Sequence, residues 1–141
     1  MKRLAILKRL AILAVAALLA GMPGLPASAS QAGARERFLA DLQQALGRSD
    51  GAWLAGHIDY PLTVRGRHKA LIKSKYAFLT SSPGLLGPKL RADVMAQRPQ
   101  DLFSNWQGMM IGSGDHNIWV HDTSPDPGRP DYRIFAINGA N

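Results

Sequence analysis

Along residues 34–50, ARERFLADLQQALGRSD, apolar side chains return at three- and four-residue steps. Phe38, Leu42, Ala45 and Leu46 form one stripe, and Leu39 widens it. That period predicts an amphipathic helix. Gly47 is a natural stop, and Ser49 or Asp50 can cap a second helix by accepting a bond from its free N–H groups. The second helix, GAWLAGHI at 51–58, sets Leu54 and Ile58 on one side and Trp53 and His57 on the next. Pro61 is expected to end it, because the residue before a proline, here Tyr60, is driven toward extended geometry.

The next segment, PLTVRGRHKALIK, mixes β-branched residues with partial alternation and predicts one or two short strands around Gly66. Ser74 is placed to cap a short helix, KYAFLT, and Ser82-Pro83-Gly84 reads as a turn. GPKLRADVMAQR at 87–98 is a third helix. Pro88 suits its first position, Leu90 and Val94 share a face, and Arg98-Pro99 closes it. Beyond this the period shortens. MMIG, NIWV and YRIFAIN are short, apolar and β-prone, with Gly, Asp and Pro between them; SPDPGRP, residues 124–130, is a polar hairpin connection. Helices first and a β-meander last predict an α+β fold, with N-terminal helices covering one face of an antiparallel sheet.

The first 29 residues follow a different pattern. Lys2, Arg3, Lys8 and Arg9 precede an apolar run at 10–20, and Ala27-Ser28-Ala29 follows helix breakers. This is the layout of a secretory signal peptide, and the run is shorter than the roughly 20 residues needed to span a bilayer. The expected organisation is a leader at 1–29 and a single α+β domain at 30–141, periplasmic or secreted, with no stable membrane anchor after cleavage. Charge is re-read accordingly. The whole chain carries +7, but four of its 17 cations lie in the leader and all ten acids lie after it, which leaves 13 against ten. A balance of +3 calls for no nucleic-acid partner. The absence of cysteine excludes disulfides, thiol catalysis, Cys-ligated zinc and a lipid anchor on a cysteine after the leader.

Several fragments in order, YPLTV at 60–64, DLFSNWQGMMIGSG at 101–114, NIWV at 117–120 and FAIN at 135–138, resemble small exported bacterial proteins of the nuclear transport factor 2-like superfamily, also called the cystatin-like cone. The resemblance runs from about residue 36 to 138. It implies a strongly bent sheet wrapped around helices, with a pocket at the wide end. It does not select an activity, since such proteins include enzymes and binding modules alike. The enzymes use pocket Asp, His or Tyr residues as acid–base groups, and no such set maps onto this chain.

The candidate chemistry is sparse. GMMIGSGDHNIWVHD, 108–122, gathers two His and two Asp, yet pairing its two apolar runs places His116 at a turn and His121 five residues on, roughly 16 Å away on the opposite face. That spacing suits a polar hairpin, not a shared metal with bonds of about 2 Å. His57, Asp59 and Tyr60 lie close together, and a His–Asp pair can orient a general base; polar groups satisfying a helix end are the simpler account. Arg65, Arg67, Lys69, Lys73 and Lys75 are the densest charge and would share one face of a continuous strand. Such a face could meet phosphate, anionic lipid or acidic glycan. A solvated strand face or loop is the simpler account, and no aromatic interleaves it as a base-stacking platform would require. Trp119 and Arg133, on neighbouring predicted strands, would suit an anionic organic ligand; a buried Trp with a surface Arg is the simpler account.

The sequence therefore selects no catalytic residue, metal ligand or cofactor. Tyr60, Trp119, His121 and Arg133 are the candidate ligand-binding residues of a non-catalytic exported protein that binds a small ligand or cell-envelope partner through a cone pocket, or forms a homodimer. The alternative is a small isomerase, lyase or hydrolase using His/Asp acid–base chemistry. The leader reading predicts that protein recovered from the cell envelope begins at or near Ser30. N-terminal sequencing checks this, and a start at Met1 with tight membrane attachment would refute it.

Overall fold

The structure, a computed structural model, describes residues 27–140. Helix α1, Ala27–Gly47, turns Phe38, Leu39, Leu42, Ala45 and Leu46 into the core, as their spacing predicts. Asp50 caps α2, Gly51–Gly56, accepting from the Trp53 N–H at 2.9 Å. This helix stops short of Pro61. The Ile134 N–H donates to the His57 carbonyl at 2.8 Å, and Ile58 opposes Ile134 across the sheet. Strand pairing therefore captures the chain before another helical turn can form. Pro61 lies inside the strand β1, Ile58–Gly66. Between Ile58 and Thr63 the register against its neighbour shifts, so the missing proline N–H falls where the ladder is already interrupted.

The basic segment folds back as β2, Lys69–Ile72, so it is a hairpin and not one continuous strand. Ser74 accepts from the Ala77 N–H at 3.1 Å and starts α3, Lys75–Leu85. The expected turn at Ser82-Pro83-Gly84 is instead the end of this helix. Leu85 and Leu86 pack against the core and hold the segment in place. Pro88 opens α4, Pro88–Ala96, which buries Leu90 and Val94. A 3-10 turn, Pro99–Asp101, leads into β3, Phe103–Asn105, a strand too short for its alternation to be read from sequence. Strands β4, Gly108–Ser113, β5, His116–Asp122, and β6, Tyr132–Ala140, complete one six-stranded sheet in the order β2-β1-β6-β5-β4-β3.

The architecture is α+β, with helices packed on a mostly antiparallel open sheet. One pair departs from the antiparallel expectation, since β1 and β6 run parallel. Parallel pairing needs a long connection, and everything from β2 to β5 supplies it. Helix α4 lies against β4, β5, β6 and α1. Gln43 of α1 ties these layers together. Its Nε2 donates to the Val94 and Gln97 carbonyls at 3.0 and 2.9 Å, and Gln97 Oε1 accepts from the Gly112 N–H at 3.1 Å. The sheet's helix-facing side is sealed by Leu62, Val64, Ile111, Ile118, Val120 and Ile137, all buried. At Gly108 the backbone takes φ +143°, and a Cβ there would lie 2.2 Å from the Val120 carbonyl oxygen, so only glycine fits.

The predicted leader lies outside the described residues apart from Ala27–Ala29, which open α1. Among the described residues no helix is long and apolar enough to cross a membrane. Two substitutions separate core packing from local capping. Ile118→Ala should cost about 2–5 kcal/mol, as buried aliphatic truncations do. Ser74→Ala should cost about 1 kcal/mol, as lost caps do. Urea unfolding of each variant measures the difference.

Candidate functional site

Period-two alternation places Ile118 and Val120 under the helices and Trp119 on the opposite, outer face. The pairing register carries that position across the whole sheet. Leu71 opposes Thr63, Thr63 opposes Ala136, Ala136 opposes Trp119, Trp119 opposes Met110, and Met110 opposes Phe103. One row of six side chains, apolar except for Thr63, thus crosses all six strands. Its two ends are open to solvent, Leu71 at 50% and Phe103 at 51% exposure. A register shift between Trp119 and Val120 adds Phe135 to the row. Its ring centroid lies 6.4 Å from that of Trp119 and 4.7 Å from that of His121, and Phe103 meets Trp119 edge-on at 6.4 Å.

Polar rows flank this one. Two residues along each strand lies the sequence Lys69, Arg65, Asn138, Asn117, Gly112, each opposite the next. It is stitched by side chains: Arg65 Nη1 donates to Asn138 Oδ1 at 3.3 Å, Asn138 Nδ2 to Asn117 Oδ1 at 2.7 Å, and Asn117 Nδ2 to the Gly114 carbonyl at 2.7 Å. On the other flank His121 opposes Arg133. His121 Nε2 is 2.8 Å from Asp59 Oδ2. Arg133 donates through Nε to Asp131 at 3.0 Å and through Nη1 to the Gly56 carbonyl. Arg65, His121 and Arg133 are therefore each held in place by a named acceptor, which limits the entropy lost when a partner arrives.

Of the four sequence-selected residues, Trp119, His121 and Arg133 share this outer face. Tyr60 does not join them. Its hydroxyl donates to the Ala55 carbonyl of α2 at 3.0 Å, and its ring packs against the core. The proposed His57–Asp59 partnership is not formed. His57 Nδ1 lies 2.7 Å from the Trp53 carbonyl, and its ring stacks on Trp53 at 3.9 Å, while Asp59 belongs to His121. His116 sits on the helix side, 3.5 Å from Asp93 of α4, so the two histidines of the β4–β5 hairpin do face opposite ways. Sequence reasoning missed Phe135, Met110 and Phe103, and it set Asp59 beside His57 and not His121. Phe135 lies one step from the alternation that would have exposed it, because the register shift moves it.

Concave features are confined to the rim. A groove of about 270 Å³ runs between the start of α1 and the β3–β4 turn, lined by Arg35, Trp106, His121, Asp122 and Tyr132. A wider one of about 430 Å³ lies along Arg37, Phe38, His57 and Arg129. Both are open troughs. Among the described residues no group of three or more His, Asp or Glu is placed to hold a metal. Comparison with protein-family models, with curated proteins and with solved structures found no match.

Burial pushes the Tyr60 hydroxyl above its ordinary range. A raised folded-state value means the folded chain holds this proton more tightly than the unfolded chain. The associated stability is full below about pH 10 and is lost as pH rises through the higher folded value. Tyr60→Phe should cost about 1 kcal/mol at neutral pH through the lost bond to Ala55. It should also flatten the alkaline decline above about pH 10. Urea melts of both proteins across that range test the sign.

Proposed function

We propose that this chain is an exported, non-catalytic binding protein of the nuclear transport factor 2-like superfamily whose working surface is the outer face of its sheet, and that a second copy of the chain docks there. The observation that carries the reading is the row from Leu71 to Phe103 with polar residues on either side. An apolar centre inside a polar margin is the anatomy of a protein interface. The face approaches the size required. Six strands about 4.8 Å apart, of three to nine residues at about 3.3 Å each, give roughly 600 Å² in projection, before side-chain relief is counted. A standard interface buries about 800 Å² per partner. Neither groove described above is lined by Trp119, Phe135 or Met110; a small ligand needs a concave site, whereas a two-fold pairing needs only one self-complementary patch. The strand order, the helices on one side and the fragments at 60–64, 101–114 and 117–120 support the superfamily reading.

One observation favours a second reading. His121, oriented by Asp59 and walled by Phe135 with Arg133 beside it, has the parts of an acid–base site for an anionic substrate. The two readings make opposite demands on His121, since docking covers it and catalysis needs it open.

Trp119→Glu should convert a dimer to a monomer in sedimentation at micromolar concentration, with little change in its urea melt. Under the same conditions diethyl pyrocarbonate should modify His121 in the variant and spare it in the parent. A parent protein that sediments as a monomer and carries a reactive His121 would refute the docking reading and favour the acid–base one.

A further inference from the structure

Between Asp59 and Asp93 the chain carries seven Lys or Arg and no Asp or Glu, while the remainder of residues 30–141 carries six cations against ten acids. The fold concentrates this asymmetry. Every residue from Arg65 to Tyr76 except Ile72 is exposed, so the β1–β2 hairpin and the first turn of α3 form one continuous basic margin along the sheet's edge. Among the described residues the side chains of Arg67, Lys69, Lys73 and Lys75 have no hydrogen-bonding or ion-pair partner. Arg65 and Lys69 stand directly opposite each other across the two strands, an arrangement of like charges that destabilises a strand pair unless something answers it.

Apolar groups interrupt the charge. Leu71 lies between Lys69 and Lys73, and Tyr76, at 78% exposure, follows Lys75 directly. An exposed leucine and a tyrosine amid lysines match a membrane interface, where the ammonium groups meet headgroups and the tyrosine ring sits at headgroup level. A nucleic-acid surface needs a series of aromatic platforms for its bases, and this margin has one aromatic.

We propose that residues 65–76 form a reversible docking surface for anionic phospholipid headgroups, with Leu71 and Tyr76 entering the interfacial layer. The surface shares Leu71, Arg65 and Lys69 with the end of the second-copy face, but it does not require that a second copy dock. Trp119 is untouched in the test below, so the two can fail separately.

The test compares full-chain variants prepared with the same N-terminus, so that any leader contributes equally to each. Binding to vesicles of phosphatidylcholine mixed with phosphatidylglycerol is measured by co-sedimentation, beside vesicles of phosphatidylcholine alone. The parent should prefer the anionic vesicles and lose that preference as salt is raised. Replacing Arg67, Lys73 and Lys75 together by Gln should weaken binding by about a hundredfold, at about fivefold per cation near a charged surface. Tyr76→Ser should weaken it severalfold with the cations intact. Circular dichroism confirms that each variant is folded. Equal binding of the parent to both vesicle types overturns the proposal, as does a triple variant that binds like the parent. An unchanged Tyr76→Ser overturns the lipid assignment, and so does tight, salt-sensitive binding to duplex DNA with none to vesicles.

Discussion

All the helices of this fold are spent on one face of a single sheet. α1 and α4 supply Leu39, Leu42, Leu46, Leu90 and Val94 to the sealed layer; α4 lies on β4, β5 and β6, and α1 packs on α4. An open sheet with helices on one side leaves its other side to water or to a partner. Both surfaces proposed above follow from how that uncovered side and its edges are managed. Burial on the helix side fixes the register, because a one-residue slip of any strand would exchange the two faces. The same register then delivers the row from Leu71 to Phe103 to the outside as an unavoidable counterpart.

The edges are managed differently. β3 is only three residues long, and a short edge offers little for another chain to pair with. β2, the opposite edge, is flanked by cations on every side. Lysine on an edge strand is a common guard against edge-to-edge pairing. Here the guard is far denser than that purpose requires, with Arg65, Arg67, Lys69, Lys73 and Lys75 all exposed.

Local sequence carried much of this. The helix stripe from Phe38 to Leu46, the caps at Asp50 and Ser74, proline at the start of α4 and the strands NIWV and YRIFAIN are all local signals, and each is found where its period or cap places it. What sequence concealed was long-range. The end of α2 is set by Ile134, 76 positions beyond Ile58. The parallel β1–β6 pair leaves no mark on either strand. Asp59 looked like the partner of nearby His57, yet it bonds His121, 62 residues away. Trp119, His121 and Arg133 could be gathered from strand alternation alone. Tyr60 could not be assigned that way, because the interruption of β1 around Pro61 breaks the period on which the argument depends.

The position of β6 in the chain has a consequence for biosynthesis. β1 is finished at Gly66, and β2 pairs with one of its edges a few residues later, but the other edge must wait for Tyr132. That is a wait of roughly 65 residues, or about 3–13 s at typical rates of about 5–20 residues per second. The β4–β5 hairpin, by contrast, can close within about 10 μs of its synthesis. For those seconds each nascent chain presents an unpaired strand flanked by unneutralised cations. Two such chains on neighbouring ribosomes repel one another at the very edge by which they would otherwise misassemble.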